Sequence, residues 1–168
     1  DVAGDGQYAV AKTVALANGG CITGKSGLLD IGQLTVSGGD SVLSGTLTLK
    51  TDVLPVDIEN GATLSVNCTF ANATTFDLTG AGKLTTCVDL TIPTLDGYTG
   101  TGESIKTTGG TLALPDMADW PNGLLVTTEG DGVLKLQTSN GYDGNRVLGT
   151  KNVVIVESEW KVTDEIVT

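Results

Sequence analysis

The amino-acid sequence predicts an all-β protein, and within that class an irregular parallel β-solenoid (β-helix) with an antiparallel C-terminal closing element. Three observations lead there. First, a unit recurs: Val56 to Val66 and Phe76 to Leu84 each run from an apolar-Asp-apolar strand through a glycine turn into a strand reopening on leucine, and Leu64 and Leu84 stand 20 residues apart. A repeat of roughly 20 to 50 residues marks stacked or arrayed architectures. Second, with 24 glycines, dense threonine and only 4% aromatics, the core must come from Val, Leu, Ile and Ala, a composition that suits strands and turns and weakens helices. Third, glycine-led strands open at Gly32, Gly45, Gly61, Gly82, Gly110 and Gly132. Glycine supplies the positive φ of a corner, and the strand after it turns alternate residues inward. Their leucines, Leu34, Leu47, Leu64, Leu84, Leu112 and Leu134, are 13, 17, 20, 28 and 22 residues apart, so the coils are expected to carry insertions of differing length.

Taken in order, residues 1–27 read as an N-terminal cap. Gln7 to Asn18 carries Tyr8, Val10, Val14 and Leu16 among alanines, which fits a short amphipathic helix stopped by Asn18-Gly19-Gly20, or a strand with small residues on one face. A solenoid end left bare presents apolar core and unpaired edge groups, and a cap would cover them. Residues 28–115 hold the solenoid repeats. The longest leucine interval contains Leu95 to Glu103, a glycine-dense loop suited to a binding excursion or to a plain turn, with Asp96, Tyr98 and Glu103 as its ligand candidates. Pro115 to Gly123, with two prolines and Trp120, is the clearest boundary.

Residues 116–168 follow as the closing element, continuous with the same folding unit. Glu129-Gly130-Asp131-Gly132, between the strands from Leu124 to Thr128 and from Val133 to Thr138, has hairpin composition. Asn152 to Val156 is an apolar strand, and the alternating charges of Glu157 to Val162 describe a half-exposed edge strand with Trp160 covering the core. The alternative architecture is an antiparallel β-sandwich or jelly roll, favoured by four Asn-Gly pairs at Asn18, Asn60, Asn122 and Asn140.

Charge narrows the partners. Twenty acidic residues against nine basic ones give a net charge of -11, and Arg146 is the single arginine, so there is no basic stripe for phosphates. Nucleic acid and anionic membrane surfaces are excluded on that ground, and the charge suits solubility. No apolar run approaches the roughly 18 residues of a membrane span. No basic-then-apolar signal segment opens the chain, which starts at Asp1 as a processed product or an excised piece would. Cys21, Cys68 and Cys87 are too few and too unevenly spaced for zinc. Cys68 and Cys87, 19 residues apart, would meet on adjacent coils and are the disulfide candidates outside the cell, leaving Cys21 as a small buried hydrophobe or an intermolecular link.

The Gly-x-Leu-x-Leu strands, the Gly80-Ala81-Gly82-Lys83-Leu84 turn and the Thr- and Gly-rich, aromatic-poor composition resemble the autotransporter-associated β-strand repeats, over roughly Leu28 to Leu136. Such repeats occur in bacterial secreted passenger domains and in repeat-rich surface proteins. The resemblance implies a parallel β-helix exported to the cell surface as a stalk, an adhesin or a matrix element.

Chemistry is limited by composition. The chain has no histidine, which removes Ser-His-Asp and Cys-His mechanisms, the imidazole base and histidine metal sites. No phosphate-cradling Gly-x-x-x-x-Gly-Lys sequence occurs. Asp116 with Asp119, or Glu157 with Glu159, are nominal carboxylate pairs for glycoside hydrolysis, but the latter two fall on one exposed strand face. Parallel β-helices also host polysaccharide lyases, which need a cationic base that scattered lysines supply poorly. Asp5, Asp131, Asp143 and Asn145 lie in oxygen-rich turns and are the calcium candidates, without the regular spacing of a calcium loop. Thr-x-Thr occurs at Thr46/Thr48 and Thr99/Thr101 without repeating from coil to coil, which dismisses ice binding. Asn67-Cys68-Thr69 and Asn72-Ala73-Thr74 are glycan acceptor triplets that matter only in a glycosylating host.

The expectation is therefore a secreted or cell-surface, non-enzymatic structural protein that self-assembles into an extracellular fibre or surface array, with no cofactor beyond calcium. Stacked end to end, such coils would meet through Tyr8, Val10, Val14 and Leu16 at one end and Val154, Trp160 and Val162 at the other. The alternative is an adhesin or carbohydrate-binding module recognising glycans or a host surface. A carboxylate-based polysaccharide-degrading enzyme is the third class.

Overall fold

The computed structural model describes the backbone of residues 7–9, 13–49, 51–72, 75–136, 147–149 and 154–156, and the side chains of residues 13–24, 31–49, 51–72 and 75–136. Among the described residues sixteen strands alternate between two sheets. One sheet takes β1 (Gln7–Ala9), β3 (Cys21–Asp30), β5 (Gly39–Leu49), β7 (Ala62–Phe70), β9 (Lys83–Thr86), β11 (Gly102–Thr107), β13 (Leu124–Thr128) and β15 (Val147–Gly149). The other takes β2 (Val14–Ala17), β4 (Leu34–Ser37), β6 (Val53–Ile58), β8 (Thr75–Gly80), β10 (Leu90–Thr91), β12 (Thr111–Leu114), β14 (Val133–Leu136) and β16 (Val154–Val156). Every pairing in both sheets is parallel. Each coil thus gives one strand to each sheet, and the chain is a parallel β-solenoid as its sequence predicts. The antiparallel sandwich is not formed.

Strand alternation builds the core. One inward column of the first sheet runs Ser41, Leu64, Leu84, Ile105 and Val126; its neighbour runs Ile22, Leu43, Val66, Thr86, Thr107 and Thr128. The second sheet answers with Leu16, Val36 and Ile58, with Leu34, Val56 and Leu78, and with Leu90, Leu112 and Leu134. All of these are buried, so stacking places like on like and one continuous core runs from Leu16 to Leu136. The three threonines close the first sheet's last described coils at a corner. Thr86 Oγ1 donates to the Val88 carbonyl (3.0 Å) and accepts from its N–H (3.2 Å), and Thr107 Oγ1 donates to the Gly109 carbonyl (2.8 Å). Satisfied locally, these hydroxyls carry little burial cost. Ser41 Oγ, by contrast, is buried without a partner.

Three expectations are corrected. The coils are more even than the leucine spacing suggested: partners on successive strands are 20 residues apart at Leu64 and Leu84 and 23 apart at Leu43 and Val66, narrowing to 16 only between Thr75 and Thr91. The leucine intervals mix two sheets, since Leu34, Leu112 and Leu134 stand in the second and Leu47, Leu64 and Leu84 in the first. Of the helix and the strand open to the segment holding Tyr8, Val14 and Leu16, the helix is the one not formed; β1 and β2 are strands in register with β3 and β4. Nor are the described strands of the C-terminal third antiparallel, since β13 to β16 pair parallel. Glu129 to Gly132 turns the chain from β13 in one sheet to β14 in the other, with Gly130 at φ 55°, so the same positive-φ chemistry makes a corner where a hairpin was expected. Met117 and Trp120, in the two-proline connector, belong to the common core, and Trp120 Nε1 donates to the Pro115 carbonyl (3.2 Å). Glu157 to Val162 lies outside the described residues.

Glycine is required where coils touch. Gly24 and Gly45 are register partners, Gly45 has φ +80°, and a methyl built on it would overlap the Gly24 carbonyl, whereas Gly61, at φ +81°, faces open space. Gly61→Ala should therefore lose about 1 kcal/mol from backbone strain alone, and Gly45→Ala more than about 3 kcal/mol because strain and overlap combine. Urea denaturation of the two variants checks this; equal losses would mean that close approach is not what fixes Gly45.

Candidate functional site

The residues singled out by sequence distribute unevenly over this frame. Tyr98 does not project from its loop: it is 2% exposed, its hydroxyl donates to the Gly82 carbonyl (2.6 Å), and the missing side chain of Gly100 leaves room for its ring. The ring is thus a plug for the corner beside β8 and is closed to a ligand. Burial pushes the Tyr98 phenol up to about 12. Glu103 is engaged as well. Lys106 bridges Glu103 (2.7 Å) and Glu129 (2.9 Å), and Thr127 donates to the Glu103 carboxylate (3.0 Å), so the ladder ties β11 to β13. The Lys106 ammonium and the Thr127 hydroxyl lower the Glu103 carboxyl, and the two carboxylates raise Lys106. Of the three loop candidates only Asp96 is an exposed side chain outside such contacts, its own N–H donating to Thr94 Oγ1 (3.2 Å).

Of the nominal carboxylate pair in the connector, Asp116 has a structural role and Asp119 is exposed. Asp116 accepts from the Ala118 N–H (3.0 Å) and caps a 3-10 turn, Met117–Asp119. Asp131 sits at an exposed corner, and no cluster of three or more His, Cys, Asp or Glu that could hold a metal ion occurs among the described residues. Asp5, Asp143, Asn145, Glu157 and Glu159 lie outside them, as do Val10, Trp160 and Val162. Tyr8 and Val154 are in β1 and β16, the strands at opposite ends of the two sheets, while Val14 and Leu16 face the core. The triplet residue Asn72 uses its amide to pair with the Leu49 backbone, donating to the carbonyl (3.0 Å) and accepting from the N–H (3.3 Å).

Cys68 and Cys87 stand on adjacent coils as expected, but one residue out of register, since Val66 partners Thr86. Alternation then turns Cys68 inward and Cys87 outward, and all three cysteines are free thiols. Burial pushes the Cys68 thiol up to about 12, with the neighbouring Cys87 adding to the rise. Exposed Cys21 lies against Thr23 Oγ1 (3.4 Å), which pairs with Ser44 Oγ (2.9 Å).

Two hollows remain. One of about 490 Å³ lies among Asn60, Thr63, Lys83, Thr99 and Thr101, beside the Tyr98 loop. The larger, about 740 Å³, was not anticipated. It runs past Phe70, Asn72, Val88, Asp89, Thr91 and Lys135, on a ledge where long strands give way to short ones. β3, β5 and β7 have 10, 11 and 9 residues, whereas β9, β11 and β13 have 4, 6 and 5. The sequence signal was available in the threonines that end the short strands, Thr86, Thr107 and Thr128, where the earlier coils carry Val66, Leu43 and Ile22 and run on.

Comparison of the chain with protein-family models, with curated proteins and with solved structures finds no match. Its function must be argued from its own surfaces.

Two measurements follow from the buried ionisable groups. An aromatic disulfide reagent at pH 8 should titrate two thiols of the native chain at once and the third only on unfolding, because Cys68 is buried and protonated there; three fast thiols would contradict that placement. Stability should also fall in alkali. The folded chain holds the Cys68 and Tyr98 protons to about 12, while the unfolded chain releases them near 9.0 and 10.0, so their contribution is complete below about pH 9 and lost as pH rises towards 12. Denaturation midpoints measured from pH 8 to pH 11.5 should decline, and Tyr98→Phe should flatten the upper part of that decline.

Proposed function

We propose that the chain is a non-catalytic structural segment of an extracellular fibre or surface array, built by stacking coil on coil. The observation that carries this reading is that the parallel ladders continue, without an intervening cap among the described residues, into β1 and β2 at one end and β15 and β16 at the other. A parallel stack is polar, so its two ends are complementary and join head to tail. A heterologous contact of that kind gives an open filament when its rotation does not close. The glycan-binding alternative loses its aromatic to the core, for Tyr98 is buried.

The edge that no described strand covers can be located residue by residue. Val14 N–H donates to the Gln33 carbonyl (2.8 Å) and Asn18 N–H to the Ser37 carbonyl (2.9 Å), so the even-numbered residues here face β4. Alternation along a strand therefore turns the N–H and C=O of Ala15 and Ala17 away from the stack. Proline is tolerated at such a position, because the donor it removes serves no internal bond.

Sedimentation velocity and negative-stain microscopy test the proposal. The unmodified chain should form polymers that grow with concentration, and Ala15→Pro should reduce polymer mass about tenfold or more while leaving the β-sheet circular dichroism unchanged. Removing residues 1–18 is a weaker probe, because it uncovers β3 and β4 as fresh edges. A chain that stays monomeric at every concentration, or polymers indifferent to Ala15→Pro, would overturn this function.

A further inference from the structure

Of the four Asn-Gly pairs, Asn18–Gly19, Asn60–Gly61 and Asn122–Gly123 stand at turns between described strands, in different surroundings, and Asn140–Gly141 lies outside the described residues. Asparagine before glycine carries a reaction of its own. The glycine amide nitrogen, once deprotonated, attacks the asparagine Cγ; the N–Cγ bond forms, the Cγ–Nδ2 bond breaks, and ammonia leaves. Water then opens the cyclic imide at either carbonyl, leaving aspartate or the isomer in which the main chain runs through the side-chain carbon. Water is consumed and ammonia released, with no change of oxidation state. The step requires a glycine N–H that is not held in a hydrogen bond, room for the ring, and a backbone free to turn into it.

The corner between β6 and β7 meets these conditions. Asn60 and Gly61 are both exposed. Their turn is anchored by Glu59 N–H on the Val36 carbonyl (2.9 Å) and by Ala62 N–H on the Glu59 carbonyl (3.0 Å), but no described residue bonds to the N–H of Asn60 or Gly61. Gly61 has φ +81°, and a methyl built on it meets nothing within 4 Å, so the ring has space to close. The other two corners are held. At Asn18–Gly19 the next coil lies on the turn: a methyl on Gly39 would stand 3.2 Å from the Gly19 nitrogen and one on Gly38 2.9 Å from Asn18 Oδ1, while the Asn18 N–H donates to the Ser37 carbonyl (2.9 Å). At Asn122–Gly123 the Gly123 carbonyl accepts from the Gly102 N–H (2.7 Å), and a methyl on the glycine would touch Thr101 (3.7 Å). Backbone tied to a neighbouring coil must open before a ring can form in it.

We infer that Asn60 is a self-modifying site of the folded chain, converting to aspartate and isoaspartate with water as the co-reactant. The acidic chain gains a further carboxylate, next to Glu59 and in the smaller hollow, which the Lys83 ammonium also lines. In the isoaspartyl form the main chain is longer by one methylene. The open space at Gly61 accommodates it, so β6 and β7 keep their register with β4 and β5. The reaction needs no partner molecule and no polymer, and stands apart from the proposed assembly.

The test holds the native chain in mildly alkaline buffer at physiological temperature, beside a portion unfolded in guanidinium chloride, and samples both over weeks. Cleavage after lysine puts Asn18, Asn60 and Asn122 on separate peptides. Tandem mass spectrometry then reads the mass gain of deamidation at each, and enzymatic carboxyl methylation reads isoaspartate. In the native chain Asn60 should convert about tenfold or more faster than Asn18 and about threefold faster than Asn122, whereas in denaturant the three rates should converge. Gly61→Ala should slow the native Asn60 about tenfold or more, because its Cβ hinders the attacking nitrogen, and circular dichroism verifies that this variant keeps its β-sheet. Equal native rates at Asn18 and Asn60, a native Asn60 more than about tenfold slower than in denaturant, or an Asn60 rate indifferent to Gly61→Ala would each overturn the inference.

Discussion

The parallel hydrogen-bond ladder is the constraint on which the rest of this structure depends. Each strand must present its N–H and C=O groups at the spacing of the strand beside it, so a coil that slipped by one residue would turn its whole inward set to solvent. The in-register columns are the result. Leu64 partners Leu84, Leu84 partners Ile105, and Ile105 partners Val126, because only this alignment keeps the ladder and the core together. Length differences between coils are then forced to the corners. Chain added between β10 and β11 packs Ile92, Leu95 and Tyr98 into the core, and chain added between β12 and β13 does the same with Trp120.

The same constraint explains why the interesting surfaces are edges and not pockets. A parallel stack satisfies its backbone only between neighbours, so wherever a neighbour is lacking a line of donors and acceptors is left. Among the described residues that happens beyond β2 and β16, the outer strands of the second sheet. Side chains elsewhere are consumed by the fold itself: Asp116 caps a turn, Glu103 and Lys106 lace two strands, and Asn72 stands in for a strand beside Leu49.

Much of this architecture was legible in the residues. The Gly-x-Leu strands and the 20-residue offset of Leu64 and Leu84 named the solenoid, because periodic inward leucines survive insertion at corners. Direction of pairing was harder to read. Asn60-Gly61 and Asn122-Gly123 put glycine at positive φ whether the chain reverses into a hairpin or swings to the other sheet, so turn composition alone could not reject the antiparallel alternative. The alanines near Val14 and Leu16 fit helix and strand alike until β4 fixed them in register. Tyr98 misled for a different reason: an aromatic in a glycine-rich loop suggests display, but Gly100 had made the space beneath it. The ledge needs strand lengths on both sides of one coil, which no local pattern contains.

The alternation of two sheets along one continuous chain also governs how the rod would meet mechanical load. Force applied at the two ends of the stack would act across the ladders, so the bonds of one coil would open as a row while the coils beyond it stayed closed. Each coil released would give up some 20 residues, or about 70 Å of extended chain, before the next came under strain. Such a rod lengthens in equal increments and dissipates work as it goes, the behaviour of a tether that yields without parting.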